Sequence, residues 1–311
     1  MTLFQLLLLT ASLISSRCLI KENTKLLLVQ ALFRHGDRAP TFLYPTDPNC
    51  EENWPLGLAE LTEIGRKQHY AVGKFLRYLY KDFVTSNPRE VYVNSSAINR
   101  CLSSAAANLA SFYAPEEKWK FEEDLEWQPI PIHYLPPNMD KKYYNLIIPE
   151  WANYYWNEIQ YIAMLVFKAF YSSPIQLRLR AGPFLETVAE NLKNKIDKNS
   201  PHLKVVVSST HDVNVAAVLL ALNFTNMERP PYCATLLFEL HEMADYSMAV
   251  RLLYMNSTDP LAYMGEPRVL FLDGCSEFCP VEHFIESFQW LIPGNWEKEC
   301  QLDVPDIDED R

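Results

Sequence analysis

Two apolar runs of strand length, each ending abruptly in a cluster of polar groups, constrain this chain more than any other feature. Leu26-Leu-Leu-Val-Gln-Ala-Leu-Phe33 leads into Arg34-His35-Gly36-Asp37-Arg38-Ala39-Pro40, and Leu203-Lys-Val-Val-Val-Ser208 leads into Ser209-Thr210-His211-Asp212. Runs this apolar suit strands buried on both faces, inside a sheet covered by helices on each side. Gly36 and Pro40 stop the first run. In open α/β sheets, functional groups collect at such carboxyl ends of strands.

The intervening segments carry helical patterning. Residues 58–80 read as a helix with Thr62 as N-cap and Ile64, Val72, Phe75, Leu76 and Leu79 at helical spacing. Glu90–Val93 reads as a short strand, followed by a helix with Ile98, Leu102, Ala105, Leu109 and Phe112 on one face. Further helices are predicted over 151–171, 184–196 and 213–222, and Thr235–Leu240 with Ala249–Tyr254 alternate as a strand pair. Between Pro115 and Pro149, prolines and aromatics dominate an irregular connection. Strand, loop and helix in repetition predict an α/β fold, a three-layer sandwich around a mixed, mostly parallel sheet. The aromatic middle is expected to form a smaller helical cap over the strand ends. The expected division is 19–114 for the first part of the core, 115–182 for cap and connection, and 183–311 for the second part.

A net charge of −11 over 311 residues disfavours nucleic acid or an anionic membrane surface as the main partner. Any anion site must therefore concentrate its cations locally. Residues 1–18 form a short apolar run closing in small residues, the pattern of a signal peptide cut near Ser16–Leu19. A secreted protein without a membrane anchor is expected, and a homodimer is compatible with the sequence. With Cys18 in the leader, six cysteines remain: Cys50, Cys101, Cys233, Cys275, Cys279 and Cys300. Cys275 and Cys279 are close enough for a local bridge, and the other pairings stay open. No metal site is expected, because no matching Cys or His pair lies beside them. Asn94, Asn223 and Asn256 are glycosylation acceptors by sequence.

The first polar cluster suits phosphoryl chemistry. A neutral imidazole held in one tautomer is a competent nucleophile toward phosphorus, which gives His35 that role. Arg34 and Arg38 can clamp nonbridging oxygens, since guanidinium forks match phosphate geometry. Gly36 lets the backbone turn sharply beside the ligand. In the second cluster His211 can donate to phosphate at a helix start, and Asp212 can protonate the leaving oxygen. An Asp there also suits a plain helix N-cap, and the two roles can coexist.

Arg34-His-Gly-Asp-Arg-Ala-Pro40 together with the distant His211-Asp212 resembles the histidine acid phosphatases, which carry RHGxRxP and an HD pair. The resemblance extends through Phe42–Trp54, Leu61–Gly73, Val91–Ala105, Trp127–Pro131 and the Cys275–Cys279 region. It implies a phosphohistidine on His35, phosphate ligands Arg34, Arg38 and His211, proton donor Asp212, and hydrolysis of phosphate monoesters without cofactor or metal. Small-molecule esters or phosphopeptides are the implied substrates, and an optimum below neutral is expected. The lysosomal lumen is the alternative destination.

Two departures from the family pattern stand out. Where the resemblance places a third clamping arginine, in a context like Val-Tyr-x-Arg-Ser, this chain has Val91-Tyr-Val-Asn94-Ser95. Arg100 lies nearby but is assigned a different place, so reduced activity is expected. The alternative is a pseudophosphatase that binds a ligand without turnover. A glycan on Asn94 would sit in the phosphate pocket. The middle section is also shorter than in typical relatives, which implies a reduced cap and leaves Cys233 and Cys300 without their usual partners.

Overall fold

A computed structural model describes residues 24–43, 47, 49–134, 173–225, 229–257 and 267–300. The expected leader over 1–18, the helix over 151–171 and most of the cap lie outside these residues.

The sheet is built on β1 (Lys25–Arg34), whose last seven residues are all buried. β1 pairs in parallel with β4 (Val205–Thr210), and β4 with β2 (Val91–Ser95), which carries β3 (His133–Tyr134) at the edge. On its other side β1 pairs antiparallel with β5 (Thr235–Glu242), then β6 (Met248–Met255), then β7 (Arg268–Leu270), and β8 (Cys279–Pro280) adds to β6. The order is thus β3-β2-β4-β1-β5-β6-β7. The sheet is mixed as expected, but "mostly parallel" describes only the half from β3 to β1. From β5 onward every pairing among the described strands is antiparallel, and β5 and β6 are joined directly through Met243–Ser247.

Helices cover both faces, which makes three layers. On one face α1 (Glu63–Leu79) and α2 (Asn99–Phe112) pack over Val29, Ala31, Phe33, Val93, Val205 and Val207. On the other, α3 (Pro174–Ile196), α4 (Asp212–Ala221) and α5 (Val281–Gln289) cover Leu28, Leu32, Val206, Phe238 and Leu252. Thr62 is the N-cap of α1, accepting from the Gly65 amide at 3.1 Å, as the spacing predicted.

α3 begins ten residues before the predicted start at 184. Pro174 opens its first turn, where proline is tolerated, and the helix continues through Pro183. An interior proline costs about 3 kcal/mol. The opposing gain is packing: Ala181, Leu185, Val188 and Leu192 are fully buried or nearly so, and Gly182 lies hard against the carbonyl of Leu291.

Candidate active site

Register explains how two distant motifs meet. Because β1 and β4 are parallel with Arg34 opposite Thr210, the residues that follow them, His35 and His211, leave the sheet side by side. The His35 amide donates to the Thr210 carbonyl at 2.9 Å, and the two imidazole rings stand edge to face with centroids 5.5 Å apart. β2 ends alongside, where the Ser96 amide donates to Ser209 O at 2.9 Å and Ser96 Oγ lies 3.1 Å from His211 Nε2. Three parallel strands thus deliver their carboxyl ends to one place.

His35 is 3% exposed, and its Nδ1 lies 2.8 Å from the carbonyl of Gly36. A carbonyl can only accept, so Nδ1 carries the proton and Nε2 keeps its lone pair. Burial, and then the neighbouring Arg34 guanidinium, push the imidazolium down to about 2, so the ring is neutral throughout the acid range. Arg100 Nε–H, projected from the start of α2, donates to His35 Nε2 at 3.2 Å. The nucleophile's free face therefore meets a guanidinium.

The backbone around it is held at close quarters. Gly36 takes an ordinary backbone conformation rather than the sharp turn expected of it; its requirement is space. A Cβ on Gly36 would stand 2.5 Å from Gly65 O, and one on Gly65 would stand 2.1 Å from Asp37 O. The start of α1 is thereby seated on the loop, fastened by Thr62 Oγ1 donating to Asp37 Oδ2 at 2.6 Å. His69, fully buried on α1, donates from Nε2 to Arg34 O at 2.9 Å.

Arg34 and Asp212 form a buried pair with Nη2 to Oδ2 at 3.3 Å. Arg34 also donates from Nη1 to Pro230 O at 2.8 Å and lies 4.0 Å over the Tyr232 ring. Its buried Nε finds no acceptor among the described residues, leaving a donor for an oxyanion. Asp212 is not the helix cap: His211 takes that position, and Asp212 is the first helical residue, its Oδ1 accepting from Val213 N at 2.9 Å. Its Oδ2 accepts from Arg229 Nε at 2.7 Å and Arg229 Nη2 at 2.6 Å. Burial raises the Asp212 carboxyl, but Arg34 and Arg229 together outweigh burial and hold it at about 2. Arg38, half-buried at the same loop, donates to Ala39 O at 2.8 Å.

Position 94 does not join this group. In β2, Val91 and Val93 join the cluster beneath α1 and α2, while Asn94 lies toward the other face. It lines a cavity of about 220 Å³ with Arg180, Phe184 and Asn214, beneath α3 and α4. The third guanidinium at the nucleophile comes from Arg100. The expectation failed because the strand residue was matched by its motif context, whereas Arg100, in the first turn of the following helix, points back over the strand end.

Sequence reasoning also missed Arg229, Tyr232, Ser96 and Cys101. Arg229 and Tyr232 belong to a polar–proline stretch, Arg229-Pro-Pro-Tyr232, which signals only a loop. Cys101 is buried with Sγ 3.7 Å from His211 Nε2. Cys275 and Cys279 are joined as expected, and with His283 they gather ligand-type atoms that the bridge already engages. Cys233 is buried 3.8 Å from Gln68 Oε1 and has no disulfide partner among the described residues.

The profile of the family described as "Histidine phosphatase superfamily (branch 2)" matches this chain over residues 25–157 and 143–255. The sequence is similar to a lysosomal acid phosphatase of Xenopus laevis, 27% identical with 91% of this chain and 80% of the relative covered. It is also similar to a prostatic acid phosphatase of Homo sapiens, 28% identical with 89% and 88% covered. Those alignments, of 351 and 347 residues, are longer than the chain itself, so the relatives carry residues that this chain lacks. Among solved structures the fold matches the apo phytase of Hafnia alvei, with a TM-score of 0.66 at 18% identity over 90% of this chain and 98% of that one.

Proposed function

Because the chain belongs to branch 2 of the histidine phosphatase superfamily, we propose that it is an acid phosphatase that hydrolyses phosphate monoesters through a phosphohistidine on His35. The observation that carries this reading is the pairing at His35: a buried imidazole with Nδ1 tied to Gly36 O and Nε2 facing Arg100. The names of its relatives, lysosomal and prostatic acid phosphatases, support the class.

In the first half-reaction His35 Nε2 attacks phosphorus and the ester P–O bond breaks. Arg34, Arg38, Arg100 and His211 surround the nonbridging oxygens, and Asp212 gives its proton to the leaving oxygen. In the second half, water attacks the phosphohistidine, Asp212 takes the water's proton, and the P–N bond breaks to return neutral His35.

Asp212 is charged in the empty site down to about pH 2, so its proton must arrive with the substrate. A phosphate monoester is a monoanion below its second pKa of about 6, and bringing that proton beside Asp212 lets the carboxylate take it. The acid optimum then comes from the substrate's proton rather than from an already protonated Asp212. His35 sets no acid limit until about 2.

The non-catalytic reading took its ground from Asn94 and from the shortened cap; Arg100 at the nucleophile answers the first of these. A secreted or lysosomal destination is supported by the leader pattern and by the joined Cys275 and Cys279; among the described residues no helix is long and apolar enough to cross a membrane.

The test is hydrolysis of p-nitrophenyl phosphate from pH 3 to 7 beside His35→Ala. A rate that climbs as pH falls through about 6, and drops by at least about 10³-fold in the variant, is expected. Equal rates in the two proteins, or a rate rising toward alkaline pH, would overturn it.

A further inference from the structure

The two oxygens of Asp212 are unequally loaded with donors. Oδ1 accepts from the Val213 amide at 2.9 Å, and Oδ2 accepts from Arg34 Nη2 at 3.3 Å and from Arg229 at 2.7 and 2.6 Å. A proton on Oδ2 requires that oxygen to be released from such donors, and each cation beside it weakens the carboxyl's hold on a proton. The two arginines differ in which can release it. Arg34 is 8% exposed at its side chain, bonded to Pro230 O and stacked on Tyr232, so it is fixed in place. Arg229 is 42% exposed at its side chain, and both its contacts to Asp212 fall on the one oxygen.

Arg229 also has a defined mount. The segment from Arg229 to Ala234 runs along the strand end: Pro230 O accepts from Arg34, the Cys233 amide donates to His35 O at 3.3 Å, and Ala234 O accepts from Arg34 N at 3.0 Å. The same loop thus holds the nucleophile's backbone, the phosphate-binding arginine and the acid's counter-ion.

We propose that Arg229 is a positioning residue for Asp212, a releasable counter-ion that holds the carboxylate in the empty site and lets go when the substrate's proton arrives. This rests on the phosphatase reading above and goes beyond it, because it makes a side chain outside the phosphate cluster set the pH window of the proton donor. Asp212 is faced by Arg34 from β1, by Arg229 from the loop, by His35, and at longer range by Arg100 from α2. Of these, Arg34 and Arg100 flank the nucleophile and would themselves be engaged by phosphate. Arg229 is the cation that can change without disturbing them. Its charge favours the carboxylate, so its removal makes Asp212 hold a proton to higher pH.

The experiment compares wild type, Arg229→Leu and Arg229→Lys in two ways. One is kcat/KM from pH 3 to 8 on 2-glycerophosphate, whose alkoxide leaving group needs a proton, and on p-nitrophenyl phosphate, which needs it less. The other is the titration of the Asp212 carboxyl by carbon NMR in aspartate-labelled protein, identified by its loss in Asp212→Asn. In Arg229→Leu the carboxyl midpoint moves up by roughly one pH unit or more, the alkaline fall stays at the substrate's second pKa of about 6, and the ratio of kcat/KM on 2-glycerophosphate to that on p-nitrophenyl phosphate changes. Arg229→Lys moves the midpoint and the ratio less. Coincident carboxyl midpoints, or an unchanged ratio between the two substrates, would sink the proposal and leave Arg229 a structural residue. A wild type without turnover whose carboxyl midpoint still shifts would defeat the phosphatase reading alone and leave the hold of Arg229 on Asp212 standing.

Discussion

Among the described residues two buried carboxylates, Asp212 and Glu239, pair with arginine and lie near a histidine, and the proposed chemistry uses only one of them. Glu239, 3% exposed in the middle of β5, accepts from Tyr80 Oη at 2.8 Å and faces His241 Nε2 at 3.2 Å and Arg251 Nη1 at 3.5 Å. Its partners come from the residue capping the end of α1, from β5 and from β6, so the group is enclosed by the sheet and its helical cover. Asp212, 7% exposed, has comparable partners but stands past the end of β4, where one counter-ion reaches toward solvent. Burial and charge pairing alone therefore do not mark a site. What distinguishes Asp212 is its place at the carboxyl end of a parallel strand and a partner, Arg229, whose side chain is 42% exposed.

The comparison is most exposed to attack at the carboxylates themselves. Asp212→Asn is expected to lower turnover of an alkyl phosphate by about 10²–10⁴-fold, the usual contribution of a positioned acid. Glu239→Gln is expected to keep kcat/KM within about threefold but to lose about 3 kcal/mol of stability, as breaking a buried pair does. Steady-state kinetics and denaturant melts read both, and a Glu239→Gln enzyme that is stable but slow would erase the distinction.

The arginines offer a sharper version. Arg100→Ala removes a preorganised donor at the nucleophile and should cost about 10²–10³ in kcat on p-nitrophenyl phosphate. Arg251→Ala, the counterpart at Glu239, should leave kcat unchanged. Were Arg100→Ala to match wild type, the third clamp would have to be sought elsewhere.

How much of this was legible beforehand follows the kind of signal each residue leaves. Leu26–Phe33 and Leu203–Ser208 announced their strands through unbroken apolar runs, and Thr62 announced the start of α1. His35 and Asp212 were legible because they directly follow those runs. Arg100 and Arg229 were not, because one acts from a helix turn folded back over the sheet and the other from a loop without periodicity. The antiparallel half was only half visible: β5 and β6 alternate, but β7 and β8 have three and two residues, too few for a period to show.

The smallest expected effect concerns protons in the folded and unfolded chain. Burial holds His69 at about 4 and His35 at about 2, below the ordinary 6.5 of the unfolded state. Between 6.5 and those values the unfolded chain binds protons that the folded chain refuses, so stability is lost as pH falls. Each histidine contributes up to about 1.4 kcal/mol per pH unit. Asp212, held at about 2, adds a loss in the same direction below the ordinary carboxyl value of 3.8. His69→Gln should flatten the slope between pH 6.5 and 4 by about one histidine's share, read from denaturant melts at each pH. An unchanged slope would mean that His69 takes up its proton inside the fold.

The contact between Gly36 and Gly65 has a consequence for how tolerance to change is distributed along the chain. Backbone meets backbone there with no side chain between, so no neighbouring rotamer can yield to an added methyl group. A variant library scored only for catalysis would therefore rank Gly65 with the residues that hold phosphate, although it lies on a helix and is separated from His35 by the loop it supports. In this molecule the boundary of the functional region is drawn by steric clearance as much as by chemical reactivity.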